Sequence, residues 1–188
     1  MPNTIVLTIL SVLSFFGYTL TNKRPYKHVF ETRFDKRVKP WPIFVIPYLG
    51  LFPFIGLTYL LLLSSPYYVH FIMSIFIVNT LATLFWVLVP NGVKREPLEE
   101  KCLFSKTINF IYSIDGDRNG FPSGHVFLSL ICSYYLIISS IPFTGLWALI
   151  GLLIAFSTVL TKQHYVIDIL GGHLFTVVAL VSSFYLIS

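Results

Sequence analysis

Charge is what this chain has least of. Only 11% of its 188 residues are Asp, Glu, Lys or Arg, whereas a soluble domain carries about a quarter. That shortage excludes a free-standing soluble enzyme with a hydrated surface. Cysteine is scarce too: Cys102 falls in a loop and Cys132 inside a hydrophobic run, which argues against a disulfide, and no metal-ligand spacing is present. Repeats and low-complexity segments are missing. The first twenty residues lack the basic flank and small-residue cleavage site of a signal peptide, so they read as a retained helix.

What fills the chain is apolar. Hydrophobic residues make up 55% of it and aromatics 17%, and the mean hydropathy is +0.78. Six hydrophobic runs cover residues 2–20, 41–63, 67–89, 121–139, 141–160 and 168–187, each near the ~20 residues that cross a bilayer as a helix. The expected fold is all-α: a polytopic six-transmembrane-helix bundle, one integral-membrane domain over residues 1–188. The lipid bilayer is the expected partner; no nucleic-acid partner is expected, and nothing indicates an oligomeric state.

The charges are placed on one side. All thirteen Lys and Arg residues lie in 23–39, in 94–118 or at Lys162. With six crossings these loops share one face, and the opposite face, with both termini and the turns near 64–66 and 139–142, has no charged residue. The positive-inside rule makes the charged face cytoplasmic. The seven cations of the first loop set topology and are also suited to anionic headgroups.

Two short runs border the hydrophobic segments on that charged face: Phe121-Pro122-Ser123-Gly124-His125 and His164-Tyr165-Val166-Ile167-Asp168. Ionisable groups at the edge of lipid are expensive and point to function. His164 and Asp168, four apart, fall on one helical face if the chain is helical there. The carboxylate can then fix the imidazole tautomer and leave the other nitrogen free to attack. Ser123 and Gly124 at a helix start offer a hydroxyl and N–H groups to an anion, and His125 stands where it can protonate a leaving oxygen. Read alone, Ser123 could equally be an ordinary helix cap. Arg95, with Lys94 beside it, supplies positive charge for phosphoryl oxygens, and Lys162 is the one cation of its loop. Arg118 is a weaker candidate for headgroup contact, and His173 is a packing or interface residue.

These motifs resemble those of the type 2 phosphatidic acid phosphatase superfamily: Lys-x6-Arg-Pro, Pro-Ser-Gly-His and Ser-Arg-x5-His-x3-Asp on a six-helix core. The second is intact at Pro122-Ser123-Gly124-His125. The third is present as Ser157-Thr158-x5-His164-x3-Asp168, followed by Gly171-Gly172. Leu88 stands where the first motif has Lys, Glu96 separates Arg95 from Pro97, and Thr158 replaces the third motif's Arg. Lys94 and Lys162 are the natural replacements for the missing cations.

The resemblance implies that His164 attacks phosphorus with Asp168 orienting it, that His125 handles the proton, and that Arg95, Lys94, Ser123, Gly124 and Lys162 bind the phosphate. The catalytic motifs would then lie within 94–172. It implies no cofactor and no metal, and a substrate that is a membrane lipid phosphomonoester or pyrophosphate. It also implies a plasma- or inner-membrane enzyme whose site faces the periplasm or lumen, in contrast to the cytoplasmic face set by charge. Lys162-Gln163-His164-Tyr165 is similar to the inositol phosphoceramide and sphingomyelin synthase branch, so an alcohol acceptor in place of water is the alternative. A non-catalytic lipid-anion transporter is the second.

Overall fold

The computed structural model describes residues 3–187. Asn3 caps the first helix, α1 (Thr4–Leu13), by accepting the Ile5 N–H at 3.0 Å, and a break at Ser14–Phe15 separates it from α2 (Phe16–Thr21). A 3-10 turn at Pro42–Phe44 leads into α3 (Val45–Leu62). There follow α4 (Tyr68–Leu88), α5 (Leu103–Ile114), α6 (Gly124–Ile138), α7 (Thr144–Leu160) and α8 (Val166–Ile187).

Four stretches, Thr4–Thr21, Pro42–Leu62, Tyr68–Leu88 and Val166–Ile187, are long and apolar enough to cross a membrane. The expected fourth and fifth spans are apolar but shorter. They have 15 and 17 residues, so at ~1.5 Å per residue they are about 22 and 26 Å long against ~30 Å of hydrocarbon. Residues 121–123, expected at the head of the fourth span, lie outside its helix.

Two helices end by the same device. After α6, Ser140 adopts φ 55°, its N–H bonds to the Ile137 carbonyl, and the Ile141 N–H bonds to the Leu136 carbonyl at 3.1 Å. After α7, Lys162 adopts φ 57°, its N–H bonds to Val159, and the Gln163 N–H bonds to Thr158 at 2.9 Å. This left-handed stop normally carries Gly. Here it turns the chain at the end of α7 and starts the segment that presents His164.

Burial follows the logic of a membrane. Leu170, Leu174, Val177 and Val181 project outward from α8 at helical spacing, while Gly171, Gly172, Ala179 and Ser183 face inward. Such an apolar stripe would be a liability in water and suits contact with lipid. Inside the bundle, polar side chains pair across the helices, as lipid requires. The Tyr135 hydroxyl sits 2.9 Å from both Ser74 Oγ and Ser183 Oγ, and Ser133 donates to the Trp147 carbonyl at 2.8 Å. A Cβ at Gly151 would lie 2.1 Å from Ser133 Oγ, so glycine sets the close approach of α6 and α7.

The two ends of the bundle differ. At the uncharged end the turns after α3 and α6 touch through Ser65 Oγ and Ser139 Oγ, 2.7 Å apart. At the charged end the Trp41 N–H donates to the Leu160 carbonyl at 2.8 Å. There β1 (His28–Val29) pairs in parallel with β2 (Asn91–Gly92), and Gly92 forms an antiparallel bridge with Arg118. This small β element and α5 are additions to the helical fold read from the sequence. Ile108 and Ile111 of α5 are buried with Val45 and Tyr48. Leu103, Phe110 and Ile114 are exposed, an arrangement suited to the membrane surface.

Candidate active site

The segment before α6 is clamped through its backbone. Asn91 accepts the Phe121 N–H at 2.6 Å and donates to the Phe121 carbonyl at 2.9 Å. Trp86 Nε1 donates to the same carbonyl at 3.0 Å. Pro122 follows a cis peptide bond, and Ser123, extended at φ −71° and ψ 119°, precedes the first residue of α6. The Ser123 side chain is not an ordinary cap: it makes no capping hydrogen bond, and its Oγ is buried without a partner. Gly124 has room, since a Cβ there would meet nothing closer than Phe127 at 3.7 Å. A ligand can therefore approach the backbone at the helix start, where N–H groups have no intrahelical acceptor.

His164 precedes α8 instead of lying within it, so the shared helical face expected for His164 and Asp168 does not form. Their side chains meet nonetheless, with His164 Nδ1 3.4 Å from Asp168 Oδ2. The closer partner of Nδ1 is the Gly120 carbonyl at 2.8 Å. A carbonyl only accepts, so Nδ1 carries the proton and Nε2 keeps its lone pair. Asp168 has a second task. It is 1% exposed, and its Oδ2 accepts the Tyr165 N–H at 2.8 Å, the return bond of a capping box at the start of α8. The carboxylate thus holds both the helix start and the imidazole beside it.

His125 comes from the opposite wall. Its ring stacks on Tyr48 at a centroid distance of 4.1 Å, and its Nε2 is buried without a partner. The His125 and His164 centroids are 6.4 Å apart. That is about twice the ~3–3.5 Å approach of reacting atoms, enough for one tetrahedral group between the rings.

None of Lys94, Arg95 and Lys162 lines the cavity that holds the two histidines. Lys94 is exposed; only its backbone N–H is engaged, donating to the Tyr165 hydroxyl at 2.9 Å. Burial pushes the Tyr165 phenol up to about 12. Lys162 points away from the histidines and donates from Nζ to the Asp35 carbonyl at 2.8 Å. Burial lowers its pKa, with Asp35 and Glu31 opposing. Arg95 is spent on acceptors: it donates to Gln163 Oε1 and the Gly116 carbonyl and lies over the Tyr112 ring, 5.1 Å from its centroid.

The cation that does border the histidines is Arg118. It lines a cavity of about 400 Å³ together with Gly124, His125, Gln163 and His164, and neither Lys94 nor Lys162 lines that space. The rest of the cavity is mainly apolar, with Phe15, Leu51, Phe52, Ile55 and Phe127 among its walls. A second, polar cavity of about 500 Å³ holds Arg95 and Lys23 and shares Arg118 with the first.

Among the described residues six buried side-chain N or O atoms have no partner, and four of these belong to Arg118 (Nε), Ser123 (Oγ), His125 (Nε2) and Asp168 (Oδ1). Native interiors leave few such atoms unsatisfied, and their concentration here suits a polar ligand. Among the described residues no group of three His, Cys, Asp or Glu side chains could hold a metal ion. Sequence reasoning missed Gly120, Tyr48 and Gln163. The first acts through its carbonyl, Tyr48 carries no motif signal, and Gln163 stands in the Lys162–Tyr165 run without a role of its own in it.

A helical membrane protein with two facing histidines at one end of its bundle is the class this architecture defines. The chain belongs to the PAP2 superfamily, whose family model matches residues 64–188. The match spans α4 to α8 and every motif residue discussed above. Membership points to phosphatase- or phosphotransferase-type chemistry on lipid phosphates. Searches of curated proteins and of solved structures return no match.

Proposed function

We propose that this protein is a lipid phosphate phosphatase working through a phosphohistidine on His164. His164 Nε2 attacks phosphorus, the bond to the lipid oxygen breaks, and protonated His125 gives that oxygen its proton. Neutral His125 then takes a proton from water. The resulting hydroxide attacks phosphorus, the P–N bond breaks, and inorganic phosphate leaves with His164 restored. Asp168 holds the imidazole and stabilises its positive charge. Arg118, Ser123 and the N–H groups at the start of α6 receive the phosphoryl oxygens, and the apolar cavity beside His125 receives hydrocarbon.

The observation that carries this reading is the pair of facing imidazoles, one with its Nδ1 bound to a carbonyl and the other with a free Nε2. Six crossings complete the picture. Although α6 and α7 are short, they run between the Ser65–Ser139 contact at one end and the Trp41–Leu160 contact at the other.

The test is phosphate release in detergent from a panel of lipid phosphates, with EDTA present and with and without an acceptor alcohol. Wild type should release phosphate in EDTA without the alcohol, and His164→Ala should lose at least ~10³-fold. Activity that vanishes in EDTA, or survives in His164→Ala, overturns the mechanism. Phosphate transfer that strictly requires the alcohol identifies a phosphotransferase.

A further inference from the structure

The turn that carries His164 is gripped by a residue from outside the matched region. Asp35 lies in the first loop, among Arg33, Lys36 and Arg37, yet it is only 3% exposed. Its carboxylate faces inward. Oδ1 accepts the Val166 N–H at 2.8 Å, and Oδ2 accepts the Thr32 N–H at 2.8 Å and the Thr32 hydroxyl at 2.6 Å. Its carbonyl accepts Lys162 Nζ at 2.8 Å.

Val166 is the first residue of α8, so Asp35 caps that helix from 131 residues away. Asp168 caps the residue before it. Together the two carboxylates fix residues 165 and 166, and the Asp35 carbonyl fixes Lys162 just ahead of them. His164 sits between these points. The Trp41–Leu160 hydrogen bond fastens the same loop to the end of α7.

We infer that Asp35 is a positioning residue for His164, a clasp through which the first loop holds the turn at residues 162–166 in attacking geometry. A buried carboxylate with three N–H or O–H donors is a rigid anchor. An imidazole displaced by ~1 Å loses on the order of 10²-fold in rate. The inference rests on the role proposed above for His164.

The experiment uses the full chain in nanodiscs and compares wild type with Asp35→Ala and Asp35→Asn. It measures kcat and KM for phosphate release, affinity for a non-hydrolysable long-chain alkylphosphonate, and the thermal midpoint. Asp35→Ala should lower kcat about 10- to 100-fold while KM and phosphonate affinity stay within about threefold. Asp35→Asn, which keeps an oxygen for the Val166 N–H, should recover most of kcat. A wild-type kcat in Asp35→Ala overturns the inference. So does an Asn variant no better than Ala, or a loss that falls on phosphonate affinity.

A wild-type chain that releases no phosphate refutes the hydrolase reading separately. The clasp is then read from the ¹⁵N signals of His164. Asp35→Ala should mix the Nδ1–H tautomer with the other, and an unchanged signal overturns the clasp.

Discussion

Among single side chains, the unusual one is Arg118. Its Nη1 lies 3.5 Å from Asp117, its Nε has no protein partner, and it borders both cavities. Lys94 and Lys162 looked like the replacements for two missing cations because they are close to the motifs in sequence. Closeness along a chain does not determine where a side chain points: one faces solvent and the other serves Asp35. Removing a single donor to a developing oxyanion costs on the order of 10²–10³-fold. Arg118→Gln should therefore lower kcat/KM by about 100-fold, Arg118→Lys should recover part of it, and Lys94→Met should stay near wild type. Equal losses in Arg118→Gln and Lys94→Met would refute this assignment. Ser123, Gly124, His125, His164 and Asp168 were legible because they form motifs at segment ends. Gly120 and Asp35 were not, since one acts through a carbonyl and the other from the far side of the sequence.

The helices themselves were easier to read. Hydrophobic runs located each long helix to within a few residues, because lipid demands continuous apolar length. The error at α6 has a physical cause: Phe121 and Pro122 are apolar but belong to the clamp around Asn91 and Trp86. The helix α5 stayed hidden because its apolar positions are mixed with Lys106, Ser105 and Asn109 in a charged loop.

Helix endings offer a test at this scale. Ser140 holds a left-handed conformation that costs a non-glycine residue roughly 1–2 kcal/mol. Ser140→Gly should raise the thermal midpoint by a few degrees without changing turnover, because it lies at the end remote from the histidines. A fall in the midpoint would show that the hydroxyl contributes more than the strain costs.

For the whole molecule, the separation of charge gives each end its own character, and orientation can be tested with a native residue. Cys102 is exposed at the start of α5, and Cys132 is buried in α6. Hydrogen bonds donated by the N–H and hydroxyl of Ser105 lower the Cys102 thiol pKa, which favours the reactive thiolate. A membrane-impermeant maleimide should therefore label Cys102 only from the side that holds the site. If that side is cytoplasmic, as the positive-inside rule predicts from the basic loops, sealed right-side-out vesicles should resist labelling and inverted ones should react. The reverse pattern would place the chemistry on the periplasmic or lumenal face. The confinement of Lys and Arg to three loops was legible from the sequence alone. The interlocking of the first loop with the 160–168 segment was not, because it runs through backbone atoms that any residue possesses.

If α6 and α7 cross as proposed, their shortness has a mechanical effect on the surrounding lipid. Helices about 4–8 Å shorter than the hydrocarbon thickness are accommodated by a locally thinned bilayer, at fractions of a kcal/mol per Å. Beside the histidines α6 begins and α7 ends. On the proposed function, a dimple in the leaflet there would lower phosphate groups toward the imidazoles, and part of the substrate's descent would be made by the membrane itself.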